Sequence, residues 1–182
     1  RGRSEVDESR QAIGQRCCGL TFIHPRNPTP MFAYETEYLF SYRASIAPPE
    51  VIGPAPGDIR FNFALTGGEI SGPKLQGKVR GGGGDFATLR SDGVVLVDVR
   101  GTLESHDGAL IDITYQGMLD LGPDGYANFL AGQMPAELKV RTAPRFRTAH
   151  PAYQWLNRIQ CYSIGEADLA KLEIGYDVYA LR

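Results

Sequence analysis

The chain has 182 residues, 42% hydrophobic and 22% charged, and its 19 Lys and Arg stand against 21 Asp and Glu for a net charge of −2. That balance excludes a disordered chain, and it lacks the basic excess with which proteins hold nucleic-acid phosphates. No apolar run reaches the roughly 18 residues of a membrane-spanning helix, the length predicts one domain, and 22 Gly with 12 Pro favour turns and strands over helices.

Residues 1–31 differ from the rest. Ser4 to Ile13 has a short helical pattern, with acids in its first turn and Gly14 as a stop. His24-Pro25-Arg26-Asn27-Pro28-Thr29-Pro30 then carries three prolines, which keep a chain extended and outside a sheet. This stretch is expected to be an appendage, either a partly ordered tail or a cover on the surface or over a barrel end, with the folded domain over 32–182.

From Met31 the period changes to two. Tyr34, Thr36, Tyr38, Phe40 and Tyr42 fall on one face of a strand that Pro48-Pro49 ends. Ile59–Thr66 and Pro73–Arg80 follow as strands, closed by Gly67-Gly68 and by Gly81-Gly82-Gly83-Gly84. Asp92-Gly93, Asp107-Gly108 and Asp124-Gly125 read as hairpin turns, since both residue types tolerate positive φ. They delimit Asp85–Arg90, Val94–Glu104, Ala109–Leu121 and Tyr126–Gln133 as strands. Ala136–Thr142, Tyr153–Tyr162 and Leu172–Leu181 complete a set of about ten, and Glu166–Lys171 is a single helical turn. Strands joined by hairpins predict an all-β antiparallel barrel or sandwich.

If each Asp-Gly forms a two-residue turn, Ser91 faces Val94 and His106 faces Ala109. Arg100 then lies between Asp85 and Tyr115, and Asp98 between Ala87 and Gly117. Cross-strand partners point the same way, so Asp85, Arg100 and Tyr115 form one polar row. Arg100 can donate to both of its neighbours, and the small residues beside Asp98 leave room for a ligand. The opposite face carries Val95, Val97, Val99 and Leu103, but Asp112, Thr114 and Gln116 on the next strand. Neither face is cleanly apolar, so the row reads either as a cavity lining or as a surface ion pair worth ~0–1 kcal/mol.

Four candidate catalytic groups follow from the cavity reading. Asp98 would be the general acid or base, its pKa raised by burial. Arg100, held by Asp85, would stabilise developing negative charge, and Tyr115 would relay a proton. Tyr38, Phe40 and Asn62 are candidate substrate contacts on the first two strands. Tyr153, Trp155 and Asn157 share a strand face, which is either core with a satisfied indole N–H or an aromatic wall with an amide to orient a ligand. Arg141 is either an anion contact at a barrel mouth or a solvated charge.

Other motifs are uninformative. The glycine run lacks the Lys-Ser/Thr of a phosphate-binding loop and reads as a turn or bulge. Cys17, Cys18 and Cys161 match no metal spacing, nor do His24, His106 and His150, and no G-x-S-x-G occurs. Neither a metal nor a cofactor is expected. Arg1 in place of Met reads as a trimmed end, with a cytoplasmic protein expected and export left open.

Thr66-Gly67-Gly68-Glu69-Ile70-Ser71-Gly72-Pro73-Lys74-Leu75-Gln76-Gly77 resembles a G-G-x-x-x-G-P-x-x-x-G signature. Gly83-Gly84-Asp85-Phe86, Arg90-Ser91-Asp92-Gly93, Asp98-Val99-Arg100, Asp107-Gly108-Ala109 and Gly117 follow in order. Arg141-Thr142-Ala143-Pro144-Arg145-Phe146 and Tyr153-Gln154-Trp155-Leu156-Asn157 complete the set. The ordered set is similar to the family catalogued as domain of unknown function 3237, the UPF-type barrel proteins, over Phe32 to Arg182. The resemblance implies a single antiparallel β-barrel of about 8–10 strands, akin to allene oxide cyclases and dirigent proteins. It implies little about activity. Phe86 and Lys139-Val140 depart from the family's usual Trp and Tyr-Phe, at positions expected to touch a ligand.

Three functions are therefore expected to compete. The first is a cofactor-independent enzyme for cyclisation, isomerisation or oxygen addition to a double bond. The second is a lipocalin-like carrier of a small apolar ligand, and the third a structural module. Partners are expected to be a small molecule and further copies of the chain, with neither nucleic acid nor membrane.

Overall fold

The structure, a computed structural model, describes residues 30–182. The expected appendage lies, but for its last two residues, outside the described residues. Ten strands form: β1 Thr36–Ile46, β2 Glu50–Ala55, β3 Asp58–Ser71, β4 Gly77–Val79, β5 Gly84–Arg90, β6 Val94–Ser105, β7 Leu110–Asp120, β8 Glu137–Arg147, β9 Gln160–Asp168 and β10 Glu173–Leu181. A short helix, α1 Gly125–Leu130, joins β7 to β8, and a 3-10 helix, Pro151–Arg158, joins β8 to β9.

Every pairing is antiparallel. β6 to β10 form a meander, β10 pairs β1, β1 pairs β3, and β5 links β3 back to β6, which closes an eight-stranded barrel. β4 bridges β3 and β6 a second time, and β2 pairs β3 alone as an outer strand. Closure removes the unpaired edges that open sheets leave exposed. Alternation along the strands puts one side chain in two inside: on β8, Leu138, Val140, Thr142, Pro144 and Phe146 are buried and their neighbours exposed. Part of the barrel is packed solid around Phe40, Leu103, Ile111, Leu156 and Val178. The cavity described below occupies another part.

The hairpin register differs from expectation by one residue at both turns. Gly93 N–H donates to Arg90 C=O (3.0 Å) and Gly108 N–H to Ser105 C=O (2.9 Å), with both glycines at positive φ, +84° and +86°. Each loop therefore has three residues, a type I turn closed by a left-handed glycine, and not two. Leu89 faces Val95 and Glu104 faces Leu110. A one-residue slip turns a strand's whole side-chain set to the other face. Arg100 accordingly faces Gly84 and Thr114, while Val99 lies between Asp85 and Tyr115.

Element assignments also change: the strand expected to end at Gly67-Gly68 runs on to Ser71, and the one expected over Pro73–Arg80 shrinks to Gly77–Val79. Asp124-Gly125 opens α1, so Tyr126–Gln133 is helix and turn and not a strand. Tyr126, Phe129 and Leu130 have helical spacing. Pro151 opens the 3-10 helix where a strand over Tyr153–Tyr162 was expected, and Tyr153 and Leu156, three apart, share its buried side. β9 then runs through Asp168, which absorbs half of the expected helical turn at Glu166–Lys171. In β1 the register shifts between Tyr38 and Phe40, so these two residues do not share a face.

Candidate active site

A cavity of about 150 Å³ lies inside the barrel. Its walls are apolar: Phe61, Phe63 and Leu65 from β3, Ala87 from β5, Val95, Val97 and Val99 from β6, and Leu138 and Val140 from β8. Among the described residues that line it, the one charged group is Asp85, and the other polar groups are Tyr115 and Tyr176. Cavities for drug-sized ligands run to ~300–1,000 Å³, so this one suits a single compact ring system or the reacting end of a longer molecule.

Asp85 points inward because of the register. It pairs with Phe63 on β3 and Val99 on β6. The β5–β6 ladder lapses opposite Phe86 and Ala87, and there Asp98 N–H donates to Asp85 Oδ1 (3.0 Å). A backbone donor that would otherwise lack a partner is thus satisfied by a side chain. Burial raises the Asp85 carboxyl to about 6, since an apolar pocket solvates the anion poorly. The Asp98 N–H opposes that rise and the nearby Asp98 carboxylate adds to it.

Three tyrosines gather beside it, Tyr42 and Tyr176 as cross-strand partners on β1 and β10 and Tyr115 on β7. Tyr42 Oη donates to Tyr115 Oη (3.0 Å). The Tyr42 and Tyr176 rings stack at 5.3 Å, and Tyr115 meets Tyr176 edge-on at 5.6 Å. All three are buried. Burial first, then the neighbouring phenols and Asp85, pushes each phenol well above its usual range. They stay protonated and act as hydrogen-bond donors.

The residues expected from sequence separate into two groups. Asp85 and Tyr115 meet in the cavity. Asp98 and Arg100 stand on the outer wall, 3.7 Å apart, with Arg100 69% exposed, because the turns are one residue longer than assumed. Tyr38 is also outside, its hydroxyl hydrogen-bonded with Ser41 (2.7 Å) and its ring against Tyr179. Phe40 is inside but sealed against Phe146, away from the cavity. Asn62 Nδ2 donates to Glu50 Oε2 (3.3 Å) on the outer face. Arg141 is exposed, donates to Val140 C=O (2.9 Å) and lies outside the cavity lining. Trp155 packs half-buried on the core from the 3-10 helix, outside the cavity lining. Asn157 clamps Thr148, accepting from its N–H and donating to its C=O, both at 2.9 Å. Of the two family departures, Phe86 faces outward and Val140 lines the cavity.

Tyr42, on the aromatic face expected of the first strand, belongs to the site, as do Tyr176, Phe61, Phe63 and Phe129, which the sequence reading does not single out. The alternation of Phe61 and Phe63 on a predicted strand was the available signal. Cys161 is buried, its thiol pushed up to about 11 by burial, and is chemically quiet. Among the described residues no group of three or more His, Cys, Asp or Glu gathers as metal ligands do.

Known proteins carry the same barrel. A "UPF0311 protein" of Rhodopseudomonas palustris (strain TIE-1) is 33% identical over 136 residues, 73% of this chain and 87% of that protein. The crystal structure of the conserved protein of unknown function RPA1785 from Rhodopseudomonas palustris superposes with a TM-score of 0.73 at 27% identity, covering 85% of this chain and all of that one. The "Hydroalkoxylation enzyme phnH" of Penicillium herquei is 27% identical over 135 residues, 74% of each chain. The profile of the family described as "Protein of unknown function (DUF3237)" matches residues 34–181. With that match spanning the whole barrel, the chain belongs to the DUF3237 family.

Proposed function

We propose that the chain is a cofactor-independent enzyme that adds a hydroxyl group across a carbon–carbon double bond within a small, largely apolar molecule held in the barrel. The observation that carries this reading is Asp85: one carboxyl, raised to about 6, in an apolar cavity next to protonated phenols. A proton-transfer group works best with a pKa near the operating pH. The relationship to an enzyme named for hydroalkoxylation supports the reaction class.

In this mechanism the Asp85 carboxylate takes the proton of the substrate hydroxyl as its oxygen bonds to one alkene carbon. The π electrons take a proton at the other carbon, returned by Asp85. One O–H and one π bond break, one C–O and one C–H bond form, and the product is an isomer of the substrate. Tyr115, oriented by Tyr42, donates to charge that develops on the substrate. The apolar walls keep water from competing as the nucleophile.

The test uses ortho-allylphenol, which carries a hydroxyl and an alkene on one ring, with chromatography of the isomeric cyclic ether. Asp85→Asn keeps the shape and removes the base, and turnover is expected to fall by ~10²–10⁴. Equal turnover by Asp85→Asn and the parent protein would refute the assignment. A carrier reading is favoured by the almost wholly apolar lining. It predicts that bound ligand is recovered unchanged.

A further inference from the structure

We infer that Phe129, carried on α1, gates the cavity and sets the size of the molecule admitted. The inference rests on the cavity being the ligand site and not on the chemistry proposed there. Phe129 and Met134 supply the cavity wall between β7 and β8. Pro49 before β2, Val51 in β2 and Leu169 after β9 also line the cavity. Phe129 meets Phe61 edge-on at 5.0 Å, so its ring closes onto the cavity wall.

The segment that carries Phe129 is built to move. α1 has six residues, with no side-chain cap at Asp124 and no basic group in its last turn. A helix this short is not stable by itself. It packs closely along none of the strands. Tyr126 and Phe129 are its half-buried anchors, while Ala127, Asn128 and Leu130 face solvent. Its start is pinned: a side chain at Gly125 would meet the Leu121 Cβ at 2.4 Å and Gly93 at 3.3 Å. Its end is closed only by local backbone bonds, Gly132 N–H to Phe129 C=O (2.9 Å) and Gln133 N–H to Asn128 C=O (2.8 Å), and Gly132 faces open space. A six-residue helix held to the barrel by its base and by two half-buried aromatic side chains describes a flap whose opening costs far less than global unfolding. A molecule that enters the cavity past this wall must displace the ring.

The experiment follows binding of 1-naphthol, a neutral fluorescent molecule of one fused ring system, by stopped-flow fluorescence. Phe129→Ala is expected to speed association about tenfold, and Phe129→Trp to slow it by a similar factor, as expected when entry is limited by a lid. Leu130→Ala, exposed on the same helix, is expected to leave the rate unchanged. Equal rates in Phe129→Ala and the parent, the same acceleration in Leu130→Ala, or no uptake by any variant would overturn the gate. A second readout needs no variant. Backbone amides of residues 126–132 should exchange with solvent at least about a hundredfold faster than those at the centre of β6 and β7. Protection equal to that of β6 would make α1 a fixed wall and refute the inference. Neither readout measures turnover, so a failed gate leaves the chemistry to Asp85→Asn, and failed chemistry leaves the gate standing.

Discussion

A carboxyl group in an apolar pocket is poorly solvated as an anion, and at Asp85 this has a kinetic consequence. If the carboxylate is the base, kcat/KM must rise with pH through about 6 and then level off, because the working form is the deprotonated one above that value. A profile flat between pH 5 and 8, in buffers covering about that range, would remove Asp85 from the rate-limiting proton transfer. Tyr115→Phe should lose its hydrogen bond with Tyr42 and leave that buried hydroxyl short of a partner. A cost of about 1–3 kcal/mol in denaturant unfolding is expected, together with a fall in turnover. Asp85 and Tyr115 were legible from sequence for a particular reason. They flank β6 from opposite sides, and both hairpins are one residue longer than a two-residue turn. The two slips cancel for the flanking strands, so Asp85 stays opposite Tyr115. Every β6 residue turns over instead, which moves Asp98 and Arg100 outside and Val99 between them.

At the scale of the element, the same dipeptide does two different things. Asp92-Gly93 and Asp107-Gly108 close three-residue hairpins, while Asp124-Gly125 starts a helix. Local propensity fixes that a turn occurs, but its length follows from how the strands twist and what packs on the loop. The two hairpin glycines should also respond differently to substitution. Gly108→Ala meets nothing within 4 Å and carries only the strain of a positive φ, about 1 kcal/mol. Gly93→Ala places a Cβ 1.9 Å from the Gly122 carbonyl oxygen, where backbone must shift, and should cost about 3 kcal/mol or more. Urea unfolding of the two variants tests this, and equal losses would show that the loop at Gly122 relaxes freely. Strand existence was legible because period-two patterning is local. The bulge in β1 was not, since it changes the phase of an alternation that looks continuous from Tyr34 to Tyr42.

For the molecule as a whole, the buried carboxyl makes stability depend on pH. The folded-state pKa of Asp85 lies above its ordinary 3.8, at about 6, so the folded form binds more protons across that window. Stability therefore falls as pH rises from about 4 to about 6 and stays lower above it, by at most about 3 kcal/mol. Asp85→Asn removes the charge and keeps the acceptor for Asp98 N–H. It should be more stable than the parent at pH 7.5 and not at pH 3.5 in thermal melts, while losing activity, the trade-off common at functional sites. A variant less stable than the parent at both pH values would show that Asp85 is not a desolvated anion in the folded barrel.

The sequence alone determines what short-range physics can determine here: an all-β chain, most of its strands, its turn sites, and a family pattern that carries the barrel. It also marks Asp85 and Tyr115 as candidate groups. Only the tertiary structure decides which strand face points inward, that the interior keeps a cavity at Asp85, and that Tyr42, Tyr115 and Tyr176 meet there. Tyr42 and Tyr115 lie 73 positions apart in the chain. Inside and outside on a β-strand are related by a single residue of register, and register is set by turn length, bulges and barrel closure together.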